Sequence, residues 1–326
     1  MSAARVWVLS AGKPGDDAQA TILADAVGWP YAVKRPGDAL VPPWPELVIA
    51  SGRQTEAAAR GIAARSAGAV RLVQLGRPHG PLARLDLVVA PPQYDLPEHP
   101  RIVQLALPLQ RVNPAAVAGA AAAWTPPAGQ RLPRPWIAVL VGGAARPYVL
   151  DAEAACEIGA QLSAAARAAG GSLLVTTSRR TAAAAADALA AALSAPAVVH
   201  RWSAGTPANP YLAFLGVADR IIVTADSASM LADAVTTGKP VEILALPTRL
   251  GRLRDAARRL AWGGALPGPL VERLGIRPPR DLARLHRALY ARGLATPFGS
   301  AAPPHPQVGG DDELATVAAR VRALVG

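Results

Sequence analysis

The chain has 326 residues, 51% of them hydrophobic and 4% aromatic, which is enough for two domains of ordinary size that each bury a core. Its formal net charge is +11; of 34 basic residues three are lysines, leaving 31 arginines, a skew that with abundant Ala and Pro suits a G+C-rich genome. The charge favours anionic partners such as nucleotides or phospholipid surfaces, the missing aromatic–basic platform argues against nucleic acid, and a lone Cys156 excludes a disulfide framework or Cys-based metal cluster.

The pattern predicts a strand over 5–9, the polar loop Ser10 to Asp17, and a helix over 18–27 that Asp16 or Asp17 can cap. A strand at 47–50 leads into Ser51-Gly52-Arg53-Gln54 and an Ala-rich helix to about 67. Runs at 70–75 and 85–90, the latter followed by Gln93-Tyr94-Asp95, are continuously apolar, which points to a parallel sheet covered on both faces. After an Ala-rich helix at 115–123, the Pro/Gly-rich stretch 125–135 is the natural linker. The pattern then restarts. A strand at 136–141 ends in Gly142-Gly143 and precedes a helix over 151–168. A strand at 172–176 meets Ser178-Arg179-Arg180-Thr181 and an Ala-rich helix to about 193, and another strand covers 198–201. A strand–turn–helix–strand unit follows: 221–224, the turn Asp226-Ser227-Ala228-Ser229, a helix stopping at Gly238, and 241–244. An Arg-dense stretch, 248–292, carries Leu250, Leu253, Ala257 and Leu260 at helical spacing, and a last helix spans 311–324. No apolar run reaches about 18 residues and a strand begins almost at once, so neither a transmembrane helix nor a secretory signal is expected and the protein is expected in the cytoplasm. The expected fold is α/β with parallel sheets: two Rossmann-like domains facing a central cleft, over 1–124 and 136–247, joined by 125–135, with C-terminal helices (248–326) packing across both.

In such sheets ligands sit where strands end and helices begin. Gly142 and Gly143 permit close backbone approach and would leave N–H groups free. Arg179 and Arg180 are either solvated or paired with a diphosphate. Ser178, Thr181, Asn209, Tyr211 and Met230 belong to the same turns. Ser227 and Ser229 either cap the helix after Asp226 or bond phosphate at its positive end. Asp233, two helical turns on, can accept hydrogen bonds from the vicinal hydroxyls of a ribose or stand in solvent. In the first half Asp16 or Asp95 can serve as general base for an acceptor hydroxyl, capping being the other role for Asp16. No metal site, nucleophile elbow or Walker loop is present, and the first loop lacks dinucleotide-type glycine spacing.

Gly15-Asp16-Asp17-Ala18-Gln19, Ser51-Gly52-Arg53, Gly142-Gly143, Thr177-Ser178-Arg179-Arg180-Thr181, Asn209-Pro210-Tyr211 and Thr224-Ala225-Asp226-Ser227-Ala228-Ser229-Met230 together resemble the mitochondrial fission ELM (elongated mitochondria) family, which has many bacterial members. The resemblance spans nearly the whole chain. Asp17 stands where that family usually has Asn, Tyr94 where a His commonly precedes the Asp, and Asp233 where Glu is more usual. More distantly, Ser227, Ser229, Asp233 and Gly238-Lys239-Pro240 are similar to the donor domain of GT-B glycosyltransferases, especially the lipid-linked N-acetylglucosaminyl transferase of peptidoglycan synthesis. That likeness implies a nucleotide-sugar (UDP-sugar-like) donor with its diphosphate at Gly143 and the Ser227–Ser229 turn and its ribose at Asp233. The acceptor expected is a lipid-linked or envelope glycan. No cofactor or metal is expected, because no strand end carries the paired carboxylates that hold a divalent ion. The Arg-rich stretch after Thr248 is either a solvated face or a contact with the anionic inner face of the plasma membrane. Two other functions fit the residues: a non-catalytic scaffold acting through protein partners, favoured by Asp17 and Tyr94, and a non-hydrolysing sugar-nucleotide epimerase.

Overall fold

The computed structural model of the protein describes residues 4–109, 112–145, 147–204, 209–249, 281–300 and 310–326. Leu250, Leu253, Ala257 and Leu260 of the Arg-dense stretch lie outside the described residues. The chain divides into two compact units, Met1–Arg111 with Gly309–Gly326, and Val112–Val308.

The first unit runs β1 (Val6–Leu9), α1 (Pro14–Val27), β2 (Tyr31–Lys34), β3 (Leu47–Ser51), α2 (Arg53–Arg65), β4 (Arg71–Leu75), β5 (Leu87–Ala90) and β6 (Ile102–Gln104). All six strands are parallel, in the order β2-β1-β3-β4-β5-β6. Alternate side chains of one strand enter opposite cores. Val6 and Val8 meet Leu23 and Val27 of α1, whereas Trp7 and Leu9 share a cluster with Ala59 and Ile62 of α2. With both faces buried, a strand has no polar side, hence the continuous apolar runs. Helix α1 starts four residues before the expected 18: Pro14 suits the first turn, where its missing N–H is no loss. Asp16 and Asp17 therefore lie inside that turn rather than capping it, and Asp17 accepts the Ser10 hydroxyl at 2.7 Å.

The second unit contains α3 (Pro114–Ala123), β7 (Trp136–Val141), α4 (Ala152–Ala168), β8 (Ser172–Thr177), α5 (Ala183–Ala192), β9 (Ala197–His200), α6 (Tyr211–Val217), β10 (Arg220–Thr224), α7 (Ala228–Thr236), β11 (Val241–Leu244), α8 (Leu282–Ala291) and β12 (Thr296–Pro297). Its six strands are also parallel, in the order β12-β11-β10-β7-β8-β9. Numbered within the unit from the far edge this is 3-2-1-4-5-6, the dinucleotide-fold order, whose switch point lies between β7 and β10. Helix α3 packs on α6, where a side chain at Gly216 would come within 2.6 Å of the Ala121 methyl. Trp124 then stacks edge-on against Trp136 (5.2 Å between ring centres) and Phe214 (5.7 Å), so the Pro-rich segment 125–135 lies inside the second unit. The terminal helix α9 (Gly310–Arg322) belongs to the first unit: Val317 and Val321 join the α1 core, and Glu313 accepts the Ala106 N–H at 3.0 Å.

Candidate functional site

Three strand-end loops converge at the switch point of the second sheet. The loop after β10 contributes Asp226, whose side chain has no exposed surface and is ringed by donors. One carboxylate oxygen accepts the Gly143 N–H at 2.8 Å and the Arg180 guanidinium at 2.9 Å; the other accepts the Thr224 hydroxyl at 2.7 Å. Thr224 in turn accepts the Gly142 N–H at 2.8 Å. The loop after β8 closes on the same glycines, with Ser178 Oγ donating to the Gly142 carbonyl at 2.6 Å and Thr181 Oγ1 bonding that carbonyl too. Thr181 Oγ1 also takes the Ser178 N–H at 2.9 Å. Only glycine fits here: a Cβ on Gly142 would lie 2.2 Å from Asp226 Oδ2, and one on Gly143 2.2 Å from the Arg180 carbonyl oxygen.

Gly142, Gly143, Ser178, Arg180, Thr181 and Asp226 are thus one hydrogen-bonded cluster, but the glycine N–H groups are not free. Thr224 and Asp226 already occupy them, because a buried carboxylate must collect donors to remain charged. What stays open is the outer side of the cluster. Arg180 keeps 40% of its side chain exposed and has donors beyond the one Asp226 takes. Arg179 and Ser229 are exposed, Met230 is half-buried, and Ser227 is buried. Ser227 is the N-cap of α7, yet its side chain makes no capping hydrogen bond. Both arginines lie in the turn before α5 rather than on the helix.

Asp233, on α7, faces α6: its Oδ2 accepts the Tyr211 hydroxyl at 2.7 Å. Burial raises the Asp233 carboxyl to about 6, an effect the Tyr211 bond partly opposes. Tyr211 is pushed well above its ordinary value by burial and by the neighbouring carboxylate. Asn209 is exposed, and its Oδ1 accepts the Tyr211 N–H at 3.0 Å, a local bond at the start of α6. Trp202, just past β9, is anchored by its N–H to Thr177 Oγ1 at 2.8 Å and leaves 38% of its surface exposed at the same strand-end edge.

In the first unit, Asp16 and Gly52 meet at the β1/β3 switch point, with Asp16 Oδ2 3.5 Å from where a Gly52 Cβ would stand. Asp95 ends a short 3₁₀ turn with left-handed backbone (φ 49) and is exposed. Strands β3 and β4 separate β5, which leads to Asp95, from β1, which leads to Asp16; at about 4.8 Å per strand that is roughly 14 Å. Sequence reasoning missed a third group at this edge. Glu56 of α2 is fully buried and accepts the His79 and Gly80 N–H groups at 2.6 and 3.0 Å, with Arg60 Nη2 at 2.6 Å. The signal in the sequence was Glu56 and Arg60 one helical turn apart, opposite the GRPHG loop. Among the described residues no group of three or more His, Cys, Asp or Glu could hold a metal ion, and no helix is long and apolar enough to cross a membrane.

Residues 13–267 match the model of the family described as Mitochondrial fission ELM1. The chain belongs to that family. The mitochondrial fission protein ELM1 of Arabidopsis thaliana is 27% identical over 287 residues, covering 76% of this chain. The chain spans 65% of the length of this curated relative. Among solved structures, the UDP-GlcNAc 2-epimerase of Methanocaldococcus jannaschii superposes with a TM-score of 0.53 at 10% identity, over 98% of this chain and 99% of the other. A glycosyltransferase of Rickettsia africae ESF-5 gives 0.51 at 11%, over 98% of each chain. The spinosyn forosaminyltransferase SpnP gives 0.50 at 14%, over 99% and 95%. At such identities the likeness is one of fold, and this ELM1-family chain has a GT-B-like fold.

Proposed function

We propose that this ELM1-family chain is a metal-independent glycosyltransferase using a nucleotide-diphosphate sugar, with a lipid-linked or envelope glycan of a bacterial cell as acceptor. The observation that carries this is the cluster of Arg180, Gly143 and Asp226 at the β7/β10 switch point, where dinucleotide-type sheets bind phosphate groups. The diphosphate is held from outside the cluster, by Arg179, by the remaining donors of Arg180, and by the uncapped first turn of α7 with Ser229. Asp233 receives a ribose hydroxyl, and the exposed ring of Trp202 stacks on the base.

In the reaction an acceptor oxygen attacks the anomeric carbon as its bond to the diphosphate breaks. The electron pair leaves on the diphosphate, where the guanidinium groups and helix N–H groups meet the developing charge. For the acceptor's proton the sequence offers Asp16 ahead of Asp95 as base. The Arg-rich stretch beginning at Thr248 would meet an anionic membrane surface, each basic residue adding roughly 1 kcal/mol. Calorimetric titration with UDP, GDP, ADP and dTDP tests the donor site. Binding that weakens at least tenfold in Arg180→Ala supports it, and no binding by any of the four refutes it.

One observation favours a non-catalytic scaffold instead: the Gly142 and Gly143 N–H groups are already satisfied internally. A scaffold would capture protein partners while leaving every nucleotide unbound. An epimerase would convert the donor without any acceptor, which product analysis detects.

A further inference from the structure

We infer, resting on the donor site proposed above, that Tyr211 is a specificity-determining residue: by occupying one oxygen of Asp233 it leaves that carboxylate a single sugar hydroxyl to read, in place of the vicinal pair. Both residues belong to the second unit. Asp233 lies on α7 four residues after Ser229, so the two are neighbours on one helix face, a turn apart. A nucleotide whose phosphates meet the first turn of α7 brings its sugar to Asp233.

The Tyr211 hydroxyl donates to Asp233 Oδ2 at 2.7 Å, and the Tyr211 N–H donates to Asn209 Oδ1 at 3.0 Å. Phe214 and Leu215, fully buried on the same helix, seat α6 against the sheet. Burial pushes the Tyr211 hydroxyl well above its ordinary value, so it remains a donor at neutral pH. Among the described residues Asp233 Oδ1 has no hydrogen-bond partner, and Asp233 keeps part of its surface exposed. A carboxylate clasps a vicinal diol by giving one oxygen to each hydroxyl. Here Oδ2 already serves the phenol, which stands against it. One oxygen is left, and with it one hydroxyl. The hydroxyl that Asp233 does not read adds nothing at this carboxylate, so a nucleotide lacking it binds as well as the complete ribonucleotide.

Calorimetric titration tests this at about pH 8.5, where Asp233, raised by burial to about 6, is ionised. Whichever of UDP, GDP, ADP and dTDP binds tightest is compared in its ribo, 2′-deoxy and 3′-deoxy forms. Wild type should lose about 10- to 100-fold with one deoxy form, the worth of a hydrogen bond to a carboxylate, and stay within about twofold with the other. Tyr211→Phe frees Oδ2, so both deoxy forms should then bind about fivefold or more weaker than the ribo form. A merely structural tyrosine would instead lower all three together. Asp233→Ala should bind the three forms alike. A melting curve establishes that Tyr211→Phe folds, and the wild-type comparison stands without it. Wild type that loses affinity with both deoxy forms or with neither, or a Tyr211→Phe protein that still reads one hydroxyl, overturns the assignment and leaves diphosphate binding standing. A protein that binds none of the four nucleotides sinks the donor site and this reading together.

Discussion

Replacing Asp226 by Ala probes the switch-point cluster most sharply. The carboxylate is fully buried and takes three donors, two of them, the Gly143 N–H and the Thr224 hydroxyl, themselves buried. Stranding each costs about 1–3 kcal/mol. Arg180, with 40% of its side chain in water, rehydrates and adds little. The sum is about 3 kcal/mol at the low-to-middle range, or roughly 6–12 °C of melting temperature for a unit of this size. Asp226→Asn should lose only about 1 kcal/mol: its carbonyl oxygen can face Gly143 and Arg180 while its amide donates to the second lone pair of Thr224. Urea unfolding and calorimetry of the three proteins check this. An Asp226→Ala protein melting within 2 °C of wild type, a shift below roughly 1 kcal/mol, would show that the carboxylate does not tie the three loops together.

Two buried groups should give opposite pH trends. Asp233, raised to about 6, is ionised more readily in the unfolded chain, so its contribution to stability is greatest below about 4 and fades as pH rises through 6. Asp233→Asn, which still accepts the Tyr211 hydroxyl, should therefore be about 3 kcal/mol more stable than wild type at pH 7.5 and equal to it near pH 4, by urea unfolding. His286 is buried beside the Ala225 backbone, and burial lowers it to about 4, so folding loses stability as pH falls from about 6.5 to 4. His286→Gln should flatten that acid limb. Trp202→Ala should weaken UDP binding about fivefold, roughly 1 kcal/mol of stacking, and leave pyrophosphate binding unchanged; equal losses for both ligands would remove the stacking role.

The βα alternation was legible because strands buried on both faces, such as Leu47–Ser51 and Trp136–Val141, leave uninterrupted apolar runs. Strand β2 was not, since Tyr31 to Lys34 is a half-buried edge with no such run. Helix α6 hid behind Asn209-Pro210-Tyr211, which reads as a turn until Phe214 and Leu215 are seen fully buried. The strand-end turns carrying Gly142, Ser178 and Asp226 were visible as polar punctuation. Their mutual occupation was not, because a hydrogen bond between residues 83 positions apart, such as Gly143 to Asp226, leaves no local trace. The same holds for Glu56 and His79, 23 positions apart. The α3–α6 contact likewise depends on a small-residue match between Ala121 and Gly216 that composition alone does not reveal.

Diffusing UDP into crystals of the protein is the most direct trial of phosphate binding at the proposed β7/β10 edge. The account requires difference density for the two phosphates against the Arg180 guanidinium and the first turn of α7, with the ribose towards Asp233. Density confined to another surface, or an empty edge at saturating UDP, would contradict it.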